Sequence, residues 1–363
     1  DGAGSTGAPG GSTTPAAVVS ALGQASLGDL ASADYSVSVA TSSEVNSALS
    51  SVDTAGRRKK LQIRSPASPV ICTRVNPGNA NQLGTIRLRK GVSFDGGGAT
   101  FAMRDNAVLA SWANIADDYS FTDPYSIVTA DVAAGENTVQ VTSGSLFAVG
   151  DDVNWRLADE ATDAGEAGYF GFAKVTGVSG NVLTLDSRFP RASNISAVTN
   201  EKNKAVHKCD VLRDVTLGNF KHVESTSPQG VSELLFLLRY AQGVKVHDID
   251  AEDIGSGVFL QYSQNCVIEN LNVFKCRNRG IPSLGRAVNV AESRGIVVRN
   301  LFARNCEGTA VFAEASSELA IDGAAFELGL AYSGRPVMSA VQKSTISAKD
   351  IRVTGLGGHV LFD

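Results

Sequence analysis

The chain from residue 209 to its end repeats one pattern of apolar and polar positions. Apolar residues recur two positions before a turn-forming residue and one and three positions after it, with mostly polar residues between them. This alternation predicts two short strands that meet at a corner, where Asn, Asp and Gly tolerate a left-handed backbone. Six segments align on Asp214, Asp248, Asn270, Asn300, Gly323 and Asp350, and their first apolar row is Leu212, Val246, Ile268, Val298, Ile321 and Ala348.

A third apolar strand follows the corner in every segment. Three strands in each coil of about 22–30 residues predict an all-β fold, a right-handed parallel β-helix whose stacked coils bury one continuous core. The main rival, a leucine-rich repeat, needs a Leu/Asn consensus that this chain lacks. Cys276 and Cys306 share an inward column, which favours a ladder of small buried side chains over a redox site. The third strands are residues 234–242, 257–265, 286–294, 309–317, 337–344 and 359–363.

A helix and a glycine-rich strand pattern precede the repeat. Residues 42–56, SSEVNSALSSVDTAG, predict a helix with Ser42 or Ser43 as its N-cap and Gly56 at its end. Between residues 85 and 103, apolar positions alternate on both sides of the run DGGG (95–98), which predicts two strands around a tight turn. The glycine run lacks the ending of a phosphate-binding loop, so it does not indicate a nucleotide site.

The patterns divide the chain into four regions. Residues 1–41 are predicted to be an N-terminal linker or attachment segment, with an Ala-rich stretch at 16–30 that suits a short helix. Residues 42–125 hold the N-terminal helix and the first coils. Residues 126–200 contain about five short strands with Gly turns, which predicts a small antiparallel β module inserted into the larger fold. Residues 201–363 are the parallel β-helix, which ends in mid-coil and is expected to continue or to be truncated there.

Composition narrows the class of protein. The 363 residues are 43% hydrophobic and 19% charged, which is typical of a globular chain with two or three domains. The 32 basic and 37 acidic residues give a net charge of −5, which argues against nucleic acid and anionic membranes as partners. No apolar stretch is long enough to span a membrane, and the first residues do not form a signal peptide.

Three segments resemble a known family. SSEVNSALSSV is similar to the helix that caps the N-terminus of pectate-lyase-like β-helices, and TIRLRKGVSFDGGGATFAM resembles their first coil. VAAGENTVQVTSGSLFAVGDDVNW and VTGVSGNVLTLDSRFP look like the strand-rich insert of bacteriophage tailspikes within that superfamily. The resemblance covers residues 42–363 and identifies architecture better than chemistry.

The resemblance implies a homotrimer in the phage virion, with other tail proteins as partners and glycan bound on the sides of the coils. Many members of the family cleave bacterial surface polysaccharide, some only bind it, and some are structural. The motifs of polygalacturonases and of polysaccharide lyases are absent from this chain, so the sequence leaves open whether it is a lyase, a glycoside hydrolase or no enzyme.

Candidate chemistry lies on the outward positions of the third strands. Hydrolysis of a glycosidic bond needs two carboxylates, and Glu292 and Glu314 fall on adjacent coils about 5 Å apart in strand spacing. A separation near 5 Å would favour retention and one near 8 Å inversion. The residues expected to bind the sugar are Gln261, Tyr262, Arg286, Asn289 and Phe312. No cofactor is expected and no metal is assigned, since even the acidic run DIDAED (248–253) mixes corner, inward and outward positions.

Three functions remain from the sequence. The first is a tailspike that binds host capsule or lipopolysaccharide and is a candidate to cleave it. The second is a non-enzymatic virion component, such as a fibre, collar or adaptor. The third is a bacterial polysaccharide lyase located outside the cell.

Overall fold

The computed structural model of the chain describes residues 34–52, 59–63, 69–72, 84–103, 108–112, 124–157, 170–190, 192–198, 201, 204–223, 234–277, 285–314, 317–328, 336–341 and 344–355. The Ala-rich stretch at 16–30 and the last strand expected at 359–363 lie outside these residues. The part described is mainly strands, and within it no helix is long and apolar enough to cross a membrane.

The helix α1 spans Ser42–Ser51, and 25 strands follow one another along the described chain. The strands are β1 (Asp34–Val37), β2 (Lys59–Ile63), β3 (Val70–Cys72), β4 (Gly84–Arg87), β5 (Val92–Met103), β6 (Val108–Trp112), β7 (Tyr125–Ile127), β8 (Thr138–Gln140), β9 (Asp152–Leu157), β10 (Phe170–Ser179), β11 (Val182–Leu185), β12 (Lys204–Lys208), β13 (Leu212–Arg213), β14 (Thr216–Val223), β15 (Leu234–Arg239), β16 (Ala241–Gln242), β17 (Lys245–Ile254), β18 (Ser256–Gln261), β19 (Val267–Cys276), β20 (Arg286–Ala291), β21 (Ile296–Arg304), β22 (Val311–Glu314), β23 (Glu318–Leu328), β24 (Met338–Ala340) and β25 (Thr345–Gly355).

Two long parallel sheets form the walls of a parallel β-helix, as the sequence predicts. One sheet has the order β1-β2-β5-β14-β17-β19-β21-β23-β25, with β3 also paired to β5. The facing sheet has the order β24-β22-β20-β18-β15-β6-β4. A short third wall begins with the parallel pair β13 and β16. Each coil therefore contributes one strand to each long sheet, and the chain returns to the same wall one coil later.

The interior rows are in the predicted register from the second segment onward. Val246, Ile268, Val298 and Ile321 stack on successive strands and are buried. Ala348 continues the row on β25 but is exposed, since β25 is the edge strand of its sheet among the described strands. The parallel ladder thus brings apolar side chains from distant parts of the sequence into one core.

The first segment of the predicted alignment is wrong by five residues. Leu217, not Leu212, pairs with Val246, and Asn219 takes the corner position that was assigned to Asp214. Leu212 is buried elsewhere, beside Ala241 on the third wall. The error arises because each coil has two left-handed corners five residues apart, and both accept Asp or Asn.

Four columns of left-handed residues mark the corners of the described coils. Their φ angles range from 48° to 64° except at Gly323, which has 81°. A left-handed non-glycine residue is uncommon, so a column of them shows that stacking holds each corner in place. The columns are Tyr240, Tyr262 and Glu292; Asp214, Gly243, Asn265 and Gly295; Asn219, Asp248, Asn270, Asn300, Gly323 and Asp350; and Asp253, Lys275 and Asn305.

Polar ladders stabilise these corners from coil to coil. Asn300 donates a side-chain hydrogen bond to Asn270 at 3.0 Å, and Asn270 donates to Asp248 at 2.7 Å. Inside the fold, the backbone N–H groups of Ser263 and Ser293 donate to the hydroxyls of Ser293 and Ser317 at 3.0 and 3.1 Å. The serine ladder gives partners to polar groups that are buried, and the asparagine ladder links successive coils at the surface.

Helix α1 covers the first coil, although its ends differ from those predicted. Thr41 is the N-cap and forms a capping box with Glu44, because the Glu44 carboxylate reaches back to the Thr41 backbone. The helix ends at Ser51, with Val52 as its C-cap, five residues before the Gly56 that was expected to end it. The side chain of Asn46 bonds to the backbone of Thr85 and Arg87 at 2.8 Å each, which fixes the helix on β4.

The glycine run at 95–98 bends a continuous strand rather than ending one. β5 passes through Gly96–Gly98, and its register with β14 shifts there, between the pairs Gly218–Asp95 and Phe220–Ala99. Gly97 has a φ of 61°, and a Cβ on it would lie 1.8 Å from the carbonyl oxygen of Ile63. Only glycine fits this corner.

The inserted module is a six-stranded antiparallel sheet of order β7-β12-β9-β10-β11-β8. It has its own core, in which the rings of Trp155 and Phe189 meet edge to face at 5.0 Å. The sheet has one strand more than expected and takes in β12 beyond residue 200, as well as Tyr125 before residue 126. β1 likewise places residues 34–37 of the expected N-terminal segment in the long sheet.

The described cysteines are buried, and Cys266, Cys276 and Cys306 lie in the core at the inward positions that the pattern predicts. Cys276 and Cys306 lie on successive coils and are hydrogen-bonded to each other. Burial raises the pKa of the Cys266 thiol to about 12. The Cys266 thiol therefore stays protonated at neutral pH and acts as a small apolar side chain.

A charge in the stacked interior should destabilise the β-helix. Ile268→Asp or Val298→Asp would bury an unpaired carboxylate between coils, with an expected loss of about 3 kcal/mol or more in the free energy of unfolding. Val297→Asp is the matched control, since Val297 is the outward neighbour of Val298 on the same strand. Urea unfolding measures the difference, and equal stability of Val298→Asp and the parent would contradict interior placement.

The buried ring of His222 should make stability fall in mild acid. Burial lowers the pKa of His222 to about 4, against the opposing effects of a hydrogen bond to the Glu252 backbone and the charge of Asp253. The unfolded chain takes up a proton near pH 6.5 and the folded chain near 4, so stability is lost as pH falls between these values. The loss is on the order of 3 kcal/mol.

The measurement is urea unfolding at pH 7, 5.5 and 4.5. His222→Met should remove most of this acid-dependent loss, whereas His247→Gln should keep it because His247 lies at the surface beside Asp248. If His222→Met loses as much stability between pH 7 and 4.5 as the parent, groups other than His222 cause the loss.

Candidate functional site

The outward face of the ladder β15, β18, β20 and β22 carries the residues that the sequence singled out. Val258, Val288 and Val311 pair in one row and point into the core. The next positions, Phe259, Asn289 and Phe312, therefore form an outward row, and Gln261, Ala291 and Glu314 form another. The structure places these side chains on one surface, as the strand alternation predicts.

Three of the predicted residues form a cluster at the corner that follows this ladder. Tyr262 and Glu292 occupy the same left-handed column, so their side chains leave the coil side by side. Gln261 Nε2 donates a hydrogen bond to Glu292 Oε2 at 3.2 Å, and the Tyr262 hydroxyl is also hydrogen-bonded to the Glu292 carboxyl. Glu292 is only 9% exposed, so these bonds hold its carboxyl in a defined position.

Three more of the predicted residues, Arg286, Phe312 and Glu314, form a second cluster beside the first. The Arg286 guanidinium carbon lies 3.6 Å from the centre of the Phe312 ring, a cation–π geometry. Glu314 is partly buried near Arg286, whose charge acts on its carboxyl. Arg286 is only 8% exposed, whereas Phe312 and Glu314 are half-buried, so the aromatic ring and the carboxyl are the parts of this cluster that a ligand can reach.

The two carboxyl groups belong to neighbouring coils and differ in their surroundings. The backbone N–H of Glu292 donates to the carbonyl of Glu314 at 3.2 Å, which places the two residues one position out of register. Burial raises the pKa of both side chains. The charge of Glu314 adds to the rise at Glu292, while Arg286 opposes the rise at Glu314.

Two buried amide oxygens on this surface accept no hydrogen bond from the described residues. They are Gln261 Oε1 and Asn289 Oδ1, and their residues are 8% and 5% exposed. Buried polar atoms in proteins are normally hydrogen-bonded, and leaving one unpaired costs about 1–3 kcal/mol. Both atoms are acceptors, so the partner that suits them is a donor such as a hydroxyl or a water.

The inserted module adds residues that the sequence did not single out. Arg156 on β9 lies over the Tyr262 ring, with its guanidinium carbon 4.3 Å from the ring centre. Tyr240 stacks on Tyr262 at 5.3 Å from the coil below, and Phe172 of β10 meets Tyr240 edge to face at 6.1 Å. The candidate site is therefore a junction between the β-helix and the module.

A buried carboxylate clamps the module to the β-helix close to this junction. Asp152 at the start of β9 pairs with Lys174 of the same module at 3.2 Å. It also pairs with two residues of the β-helix, Lys90 at 2.6 Å and Arg213 at 2.9 Å. These cations and their hydrogen bonds lower the pKa of Asp152 against the effect of its burial, so the clamp is charged at neutral pH.

The only sequence signal for Arg156 is the alternation of side-chain directions along β9, residues 152–157 with the sequence DVNWRL. It places Asn154 and Arg156 on the face of β9 opposite Trp155, and an arginine on a strand face is usually solvated. That this face packs on the Tyr240, Tyr262 and Glu292 column depends on how the module docks. No local pattern in the sequence carries that information.

The chain is similar in structure to bacteriophage tailspikes. The tailspike of Acinetobacter baumannii phage AP22, solved in complex with a capsular saccharide of that bacterium, shares 11% identity, with a TM-score of 0.34 and 88% of this chain covered. The tailspikes of Pseudomonas phages phi297 and LKA1 share 11% and 13% identity, both with TM-scores of 0.35, over 85% and 83% of this chain.

The chain spans 64%, 68% and 60% of the lengths of these three proteins, in the same order. No protein-family model and no curated protein matches it in sequence. The identification of the parallel β-helix rests on the strand pairing of this chain itself.

Proposed function

We propose that the chain is a tailspike-like virion protein that binds host-surface polysaccharide, capsule or lipopolysaccharide, and cleaves it on the outward face described above. The observation that carries the proposal is the pair of carboxyl groups of raised pKa, Glu292 and Glu314, on adjacent coils beside the stacked Phe312 and Arg286. A polysaccharide offers many hydroxyl donors. Its apolar ring faces also suit an aromatic platform such as Phe312 with Arg286.

The arrangement of the two glutamates suits hydrolysis of a glycosidic bond. Glu292 is the more deeply buried of the two, and the rise in its pKa favours the protonated form that a general acid needs. Glu314 has Arg286 nearby, which favours its ionised form and suits a nucleophile or base. Tyr262, Gln261 and Asn289 would position the sugar. A separation of about 5 Å between the two carboxyl groups would favour retention of configuration, and one of about 8 Å would favour inversion.

Glu314→Gln should abolish turnover and leave glycan binding nearly intact. The amide keeps the shape of the side chain and removes its charge, so the chemical step is lost while the contacts remain. Release of reducing ends from purified host capsule or lipopolysaccharide measures turnover, and a binding assay on the same glycan measures affinity. Glu318→Gln is the control, since Glu318 is an exposed glutamate at the start of β23.

Three outcomes distinguish the candidate functions. If Glu314→Gln cleaves as fast as the parent, the reaction takes place elsewhere. Binding without cleavage by the parent would make the chain an adhesin or structural component. Release of unsaturated uronates would identify a lyase.

The proposal includes assembly as a homotrimer together with other tail proteins. Support comes from Phe274 and Phe302, whose rings lie 5.5 Å apart on the outward face of the long sheet. Both are half-buried, while most of their outward neighbours are polar or charged. An aromatic pair on a lateral face gains stability when a second copy covers it.

Light scattering at micromolar concentration should therefore report three times the mass of 37.7 kDa. Phe274→Ser combined with Phe302→Ser should lower the concentration-dependent association, because it removes the apolar contact without touching the core. Val267→Ser, at a half-buried outward position on the same sheet, is the control. If the parent protein is a monomer, the proposal that this chain forms a trimer by itself is wrong.

A further inference from the structure

Arg156 reaches the candidate site from the inserted module and is itself buried there. It is 8% exposed, and its Nε donates to Asn154 Oδ1 at 3.3 Å on the same face of β9. Its guanidinium plane covers the Tyr262 ring at 4.3 Å and is hydrogen-bonded to the Tyr262 side chain. These contacts fix the charged end of Arg156 against the corner column.

Glu292 is the acidic group that this charge faces. Tyr262 lies next to it in the corner column and Gln261 precedes that corner on β18, and both donate to its carboxyl. Glu314 on β22 brings a second negative charge, and Arg156 on β9 brings a positive one. Burial makes the Glu292 carboxyl harder to ionise, and the charge of Arg156 favours its ionised form together with the hydrogen bonds from Tyr262 and Gln261.

We propose that Arg156 is a positioning residue for Glu292, so that the inserted module completes the candidate site by placing a compensating charge beside its buried carboxyl. The proposal rests on the proposed function, in which Glu292 is the general acid. It gives the Asp152 clamp a role, since the clamp holds β9 against the β-helix.

The proposal predicts that removing the charge of Arg156 changes the pKa of the Glu292 carboxyl. Without Arg156, burial and the neighbouring Glu314 act on Glu292 with less opposition, so its pKa rises further. The alkaline limb of cleavage should move to higher pH in Arg156→Met by about one pH unit, a tenfold change in the ionisation constant. Arg156→Lys keeps the charge and should shift the limb less. Arg299→Met, which removes an exposed arginine from β21, should leave it in place.

A second readout does not require turnover. An acid whose folded pKa is raised destabilises the fold as pH rises from its unfolded pKa through its folded pKa. Urea unfolding from pH 4.5 to 8 should therefore show a steeper loss in Arg156→Met than in the parent. Glu292→Gln added to Arg156→Met should remove the extra loss, because no carboxyl is left to ionise.

The outcomes separate this proposal from the proposed function. If Arg156→Met does not fold, the double variant with Glu292→Gln should fold, and failure of both would assign Arg156 to docking alone and overturn the proposal. Equal pH dependence of the single and double variants would also overturn it. If the stability results appear as expected but no glycan is cleaved, the effect of Arg156 on the ionisation of Glu292 is supported and the proposed enzymatic function fails.

Discussion

The structure depends on parallel strands stacking in register from coil to coil. A parallel ladder fixes which residue lies above which, so one misplaced residue would turn every following side chain to the wrong face. The chain meets this constraint at the corners, where left-handed residues repeat in columns and Asn and Ser side chains bond to the next coil. The interior can then remain mainly apolar along the stack, with the hydrogen-bonded serines of the internal ladder and the neutral ring of His222 as polar members.

The same constraint builds the candidate site. Since inward positions are taken by the core, the polar residues of β18, β20 and β22 must share the outward face, and stacking brings Glu292 and Glu314 onto adjacent coils. Burial close to the module changes the chemistry of Glu292. A carboxyl on an open face would keep its ordinary pKa, whereas Glu292 is covered near Arg156 and Tyr262 and is harder to ionise. The candidate site therefore requires both the parallel β-helix and the inserted antiparallel module.

The predicted alignment succeeded in some coils and failed in the first for one reason, which is that it relies on recognising a single corner residue in each coil. Columns were correct wherever one corner could be followed through a clear alternation, from Asp248 to Asp350. They failed at Asp214 because a second corner five residues away uses the same residue types. The end of α1 at Ser51 was missed for a similar reason, since Gly56 is a good stop but the chain leaves the helix earlier to reach β2.

The sequence by itself determined the parallel β-helix and the residues that share its outward ladder, because period-2 alternation and turn residues are local signals that a repeated coil multiplies. It also determined that the region around residues 126–200 is an antiparallel unit. Only the tertiary structure decided that β12 joins that unit, that Asp152 clamps it to Lys90 and Arg213, and that Arg156 lies over Tyr262 next to Glu292. Those contacts join residues far apart in the chain, and their geometry depends on how two folded surfaces meet, which no local pattern records.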